Sequence, residues 1–181
     1  MIKNLRVKYH CGLVVYEGNV KEGSSITLPD GEHTRLAMSW NLWSDLVFTL
    51  EELTDPNTSG FDADPDGDGL RNLHEFAFGG MPLLQDSVEF SPRIEIISGE
   101  PVLGFWCDTS RDVSISVEVS NNLATNSWEE IASGSSVSAI EHNLDRSTVT
   151  DPAVGRRFIT VNHLITPEEG TEFYRLKIQL D

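Results

Sequence analysis

Positive charge is the first thing this chain is short of. Its 13 lysines and arginines face 29 aspartates and glutamates, for a formal net charge of −16. A polyanion of this strength is repelled by phosphate backbones and anionic lipid, which argues against nucleic acid and membrane surfaces as partners. Long apolar runs are missing too, and no stretch approaches the roughly 18 residues of a membrane-spanning helix. The apolar run near the start, CGLVVY, is shorter than the core of a signal peptide. Cysteine is scarce: Cys11 and Cys107 stand alone, with no CxxC spacing, so neither a zinc cluster nor thioredoxin-type redox chemistry is encoded. Two such thiols are either buried small apolar groups or one disulfide joining the first strands to the later part of the chain.

Catalytic signatures are also absent. His10, His33, His74, His142 and His163 fall in no HExxH spacing, and there is no GxSxG, P-loop or GxGxxG. Cys107, in FWCDTS, reads as a buried strand residue rather than a nucleophile. No two of the carboxylates are singled out as a glycosidase pair. The sequence therefore reads as a non-enzyme.

What is present is a chain 39% hydrophobic, enough to bury a core. Residues 5–30 read as strands with a turn at Pro29-Asp30-Gly31. Over 36–54, Leu36, Trp40, Trp43, Val47 and Leu50 recur at helical steps, and Thr49 and Glu52 have capping-box spacing for a second short helix. LRNLHEFAFGG reads as a short helix stopped by Gly79-Gly80. From residue 88 the pattern becomes about seven short strands, FSPRIEII to EFYRLKIQL. The turn signals between them are Ser98-Gly99, Asn121-Asn122, Ser133-Gly134 and Glu169-Gly170. In DVSISVEVS, Val113, Ile115, Val117 and Val119 form one face and Ser114, Ser116, Glu118 and Ser120 the other, predicting one dry and one wet side. Trp106 and Trp128 read as packing residues, with a sugar platform as the alternative, and Arg111, Arg156 and Arg157 as ordinary surface charges. The expected fold is mainly β with a small α segment. An N-terminal β-hairpin (1–35) and a helix–calcium loop–helix segment (36–87) precede an antiparallel β-sandwich (88–181).

The densest signal is FDADPDGDGLRNLHEF. From Asp64 to Glu75 it satisfies D-x-[DN]-x-[DN]-G-x5-E over all twelve positions. Alternate carboxylates at Asp64, Asp66 and Asp68 converge as the chain curls, and Gly69 permits the sharp turn. Leu70 offers its backbone carbonyl, Asn72 binds directly or through water, and Glu75 can use both oxygens. A hard cation with six to eight oxygen ligands fits such a set, and the bidentate glutamate favours Ca2+ over magnesium. Asp62 precedes the loop as an outer-sphere or turn residue, and Asp55 is a weaker extra candidate.

This loop resembles those of EF-hands, dockerins and thrombospondin type 3 repeats. The block FTLEELTDPNTSGFDADPDGDGLRNLHEFAFGG, with the VSISVEVSNNLATNSWEEI and EFYRLKI runs behind it, is similar to a module near the C-termini of large secreted bacterial proteins. The resemblance covers about residues 45–181. It implies a calcium-stabilised structural module outside the cell or at its surface, used for presentation, anchoring or assembly. Another surface protein or a glycan would be the partner, and a carbohydrate- or protein-binding sandwich is the alternative. Arg71 stands where a paired EF-hand places an apolar residue, and there is no second twelve-residue loop. Both departures point away from calmodulin-like opening and from two-loop dockerin binding.

Overall fold

The computed structural model describes residues 4–11, 14–21, 34–97, 100–123, 127–135, 141–142, 147–153, 156–162 and 173–181. The expected turns at Pro29-Asp30-Gly31, Ser98-Gly99 and Glu169-Gly170 lie outside these residues. So do His33, His163 and the side chain of Cys11.

The N-terminal strands form a sheet of three rather than a hairpin. β1 (Asn4–Cys11) and β2 (Val14–Lys21) pair antiparallel, with Asn4 opposite Lys21. β3 (Thr34–Leu36) then adds to the far side of β2. Leu36 therefore ends a strand and does not begin a helix. The cause is a distant partner: Met38 N–H donates to the Ser110 carbonyl (2.6 Å), and the Met38 carbonyl accepts from Asp112 N–H (2.9 Å). These bonds hold the chain extended until Ser39 caps α1 (Trp40–Val47).

α1 stops at Phe48, whose backbone is extended (φ −104°, ψ 146°). The capping box expected at Thr49 forms. Thr49 N–H donates to Glu52 Oε2 (2.7 Å), Glu52 N–H donates to Thr49 Oγ1 (3.3 Å), and a 3-10 turn follows over Glu52–Thr54. The 36–54 periodicity is thus cut into pieces. Trp43 is buried and Trp40 and Val47 are half-buried, but Leu50, past the helix end, is 86% exposed.

The second half is β, as the alternation predicted. Its strands are β4 (Arg93–Ile97), β5 (Glu100–Asp108), β6 (Val113–Ser120), β7 (Glu129–Ser135), β8 (Glu141–His142), β9 (Ser147–Ala153), β10 (Arg156–Asn162) and β11 (Phe173–Leu180). Among the described residues they form two four-stranded antiparallel sheets, ordered β4–β5–β10–β9 and β11–β6–β7–β8. Two local expectations change. Ser133-Gly134 is no turn but lies within β7, where Gly134 faces Ile115. The apolar face of β6 is buried, yet Ser116 and Ser120 on the other face are buried too. Ser120 is covered because its hydroxyl bonds the Asn122 carbonyl (2.5 Å) and the Ser127 hydroxyl (2.6 Å).

One continuous apolar core crosses the boundary expected near residue 87. Leu103, Phe105, Ile159 and Val161 come from one sheet, and Val113, Ile115, Val117 and Ile131 from the other. Met38, Trp43, Phe48, Phe76, Phe78 and Phe90 come from the helical segment.

Inside this core lies an ion pair. Arg111, expected at the surface, is 2% exposed, and its Nε is 3.1 Å from Oδ2 of the buried Asp108. Its guanidinium stands 5.5 Å from the centroid of the Phe76 ring. Asp108 Oδ1 accepts from Ser110 N–H (2.9 Å) and Ser110 Oγ (2.5 Å), so the carboxylate is well satisfied. Removing one partner of such a pair strands the other charge in the interior. Arg111→Ala is expected to lower the unfolding free energy by about 3–5 kcal/mol in urea titrations. A loss below about 1 kcal/mol, the scale of an exposed pair, would contradict this placement.

Candidate metal centre

The acidic loop is framed by two short helices. α2 (Pro56–Ser59) starts at Asp55, whose Oδ1 accepts from Asn57 N–H (2.9 Å) and whose Oδ2 accepts from Thr58 Oγ1 (3.0 Å). Asp55 is therefore a helix cap. Beyond α2 the ends of the loop are zipped: Leu73 N–H donates to the Phe61 carbonyl (3.1 Å), and Asn72 N–H to the Ala63 carbonyl (2.8 Å). Asp62 points outward to an exposed pair with Arg71 (2.9 Å). α3 (Asn72–Phe78) leaves the loop and ends at Gly79, whose φ of +89° favours glycine.

Within the loop, Asp64, Asp66 and Asp68 each offer an oxygen lying within 4.8 Å of the others, and this triad can hold a metal ion. Backbone N–H groups fix the carboxylates in place. Asp64 Oδ1 accepts from Gly67 (3.0 Å) and Asp68 (3.2 Å), and Asp64 Oδ2 from Gly69 (3.0 Å). Asp66 Oδ1 accepts from Asp68 (3.1 Å), and Asp68 Oδ1 from Leu70 (2.9 Å). The tight curl runs through Gly69 at φ +97°, a conformation that side chains other than hydrogen rarely adopt.

The other three sequence-predicted residues sit differently. Leu70 buries its side chain, and its N–H serves Asp68. Asn72 is fully buried, and its amide nitrogen donates to the Thr58 and Gly60 carbonyls (2.8 Å each), tying α3 back to α2. Glu75 lies outside the 4.8 Å grouping but is fully buried in the first turn of α3. Burial, followed by the charges of Asp66, Asp86, Asp68 and Asp64, pushes its carboxyl up to about 8.

The triad itself is unevenly tuned. Burial raises Asp66, and the Asp68 charge adds to it against one backbone hydrogen bond from Asp68 N–H. For Asp68 burial also pulls upward, but the N–H groups of Leu70, Ser87 and Asp86 hold it below the ordinary carboxylate range.

Buried oxygens without hydrogen-bond partners gather here. Among the described residues they are Asp66 Oδ2, Asn72 Oδ1, Glu75 Oε1, Glu75 Oε2 and Asp86 Oδ1, and every one belongs to this site. Leaving so many acceptors dry and unpaired is costly unless something positive completes them. An all-oxygen donor set of this kind suits a hard cation.

Sequence reading missed the contribution of residues 85–87. Gln85 Nε2 donates to the Asp66 carbonyl (2.7 Å), and the N–H groups of Asp86 and Ser87 donate to Asp68 Oδ2 (2.8 and 2.6 Å). In the sequence, Asp86-Ser87 shows only the pattern of a helix cap. No protein-family model, no curated protein and no solved structure matches the chain. Among the described residues no helix is long and apolar enough to cross a membrane.

The raised Glu75 gives a signed pH effect in the metal-free protein. A carboxyl whose folded value is about 8, against an ordinary value of 4.5, contributes stability that is complete below the lower value. That contribution is lost as pH rises through about 8. In chelator, wild type and Glu75→Gln are therefore expected to have similar urea midpoints near pH 5. By pH 8 the variant should be the more stable of the two. Parallel midpoints across that range would show that Glu75 is not held protonated.

Proposed function

We propose that this chain is a non-catalytic, calcium-stabilised structural module of an exported bacterial protein, used to present, anchor or assemble a partner at the cell surface. The observation that carries the reading is the gathering of unpaired buried oxygens around Glu75 and the acidic triad. Their convergence on hard oxygen donors, with Glu75 able to offer two, favours calcium over magnesium, which prefers strict octahedral geometry and retained waters. When bound, calcium would cancel the repulsion among Asp64, Asp66, Asp68 and Glu75 and leave Glu75 ionised, so binding energy becomes folding energy.

In this reading the two four-stranded sheets are the halves of an antiparallel β-sandwich, supported by the apolar residues that both contribute to one core. Residues 36–87 form the calcium-bearing segment docked on it. The extracellular placement rests on affinity: sites of ~10⁻⁴–10⁻³ M fill at extracellular calcium levels and stay nearly empty in cytosol. The sugar-platform alternative gains little support from the tryptophans. Trp106 is half-buried and packs edge-on against Phe158 (5.2 Å), and Arg175 stacks 4.2 Å from the Trp128 ring centroid.

Thermal melting tests the proposal. A tenfold excess of calcium over its dissociation constant stabilises by about 1.4 kcal/mol. For a chain of this size that raises Tm by about 3–6 °C. Chelator is expected to reverse the shift, magnesium to give much less, and Glu75→Gln to abolish it. An unchanged Tm in calcium and in chelator would overturn the proposal.

A further inference from the structure

We propose that Asp86, eleven residues beyond the end of the loop, is a direct ligand of the cation, delivered by the turn that follows α3. The inference rests on the metal reading above and extends it to a residue that the twelve-position spacing does not include. Asp86 precedes α4 (Ser87–Phe90) and occupies its cap position, yet its carboxylate makes no capping bond. Oδ2 instead accepts from Met81 N–H (3.1 Å), while Oδ1 is buried and has no partner.

The turn is fastened to the triad from two sides. Asp86 and Ser87 N–H groups grip Asp68 Oδ2, and Gln85 Nε2 grips the Asp66 carbonyl. These bonds hold the backbone of Asp86 against Asp68. Gly80 marks where the Asp86 side chain converges with Glu75. A Cβ added there would sit 3.2 Å from Asp86 Oδ1 and 3.4 Å from both Cβ and Cγ of Glu75. The dry oxygen of Asp86 and the stem of Glu75 thus share one small space.

Calcium coordination also leaves room for an outside donor. Asp64, Asp66 and Asp68, the Leu70 carbonyl and the two Glu75 oxygens offer six oxygens, the lower end of the usual six to eight for calcium. At the ninth position the Asn72 amide nitrogen ties α3 to α2, while its Oδ1, buried and without a partner, can offer a seventh oxygen. Asp86 Oδ1 supplies a further negatively charged oxygen. The cation then clasps the loop and the 81–87 turn together, and so reaches the segment that leads into β4.

The test uses terbium(III), a hard oxygen-seeking ion, on the full chain. Its luminescence lifetimes in H2O and D2O count the waters bound to the ion. Asp86→Ala is expected to gain one bound water over wild type and to weaken binding about tenfold or more, because ligand charge sets affinity in such sites. Glu51→Gln, an exposed charge control, should leave both values unchanged. An Asp86→Ala protein with the wild-type water count overturns the ligand role, whether or not its affinity falls. If Asp86→Ala does not fold, Asp86→Asn replaces it, since its amide oxygen can still accept from Met81 N–H. One more bound water than wild type supports the proposal, and the wild-type water count overturns it. Wild-type protein that binds neither terbium nor calcium overturns the underlying metal reading instead, a different result from either.

Discussion

Repulsion between a buried glutamate and the half-buried aspartates of the acidic loop is the constraint from which the rest follows. Asp64, Asp66 and Asp68 are brought together by backbone hydrogen bonds, and Glu75 is driven in behind them by the core. Four negative groups at this spacing cannot all stay ionised in a poorly solvated place. The fold has two ways out. Glu75 can keep its proton, which its upward displacement to about 8 expresses. Or a cation can take the proton's place and use the oxygens that lack partners. The proposed calcium role is the second way out.

α3 transmits whatever happens at that site. It carries Glu75 on the side of the loop and Phe76, Ala77 and Phe78 into the interior. Phe76 contacts Trp40 and Trp43 of α1 and lies under the Arg111 guanidinium, while Phe78 faces Phe105 of β5. The helix has only seven residues, too short to be stable by itself. It persists because one side is packed and the other is anchored through Asn72 to Thr58 and Gly60. In the proposed metal-bound state, loss of the ion would therefore act on a helix packed into the core that both sheets share.

What the sequence revealed and what it hid follow from the range of the interactions. The acidic loop was legible because every element of its curl is local: alternate aspartates, a glycine where φ must be positive, and a glutamate one turn into the next helix. The capping box at Thr49 and Glu52 and the helix stop at Gly79 were legible for the same reason. The extended path of Leu36 to Ser39 was not, since it is held by residues 110–112; Met38 and Arg111 are 73 positions apart. Burial of Arg111 was hidden likewise, because an arginine reads as a surface residue until Asp108 and Phe76 are seen around it. Asp86 lies outside the twelve-position spacing, so no local pattern ties it to the loop. Only the unused carboxylate oxygen and the grip of residues 85–87 on Asp66 and Asp68 connect it to the site.

A crystal structure grown in millimolar calcium would show whether a cation sits among these carboxylates. One density peak is expected inside the loop, with oxygens of Asp64, Asp66, Asp68 and Glu75 about 2.3–2.6 Å from it. A map with no ion there, and with Glu75 still dry and unpartnered behind the triad, would contradict the proposed calcium role.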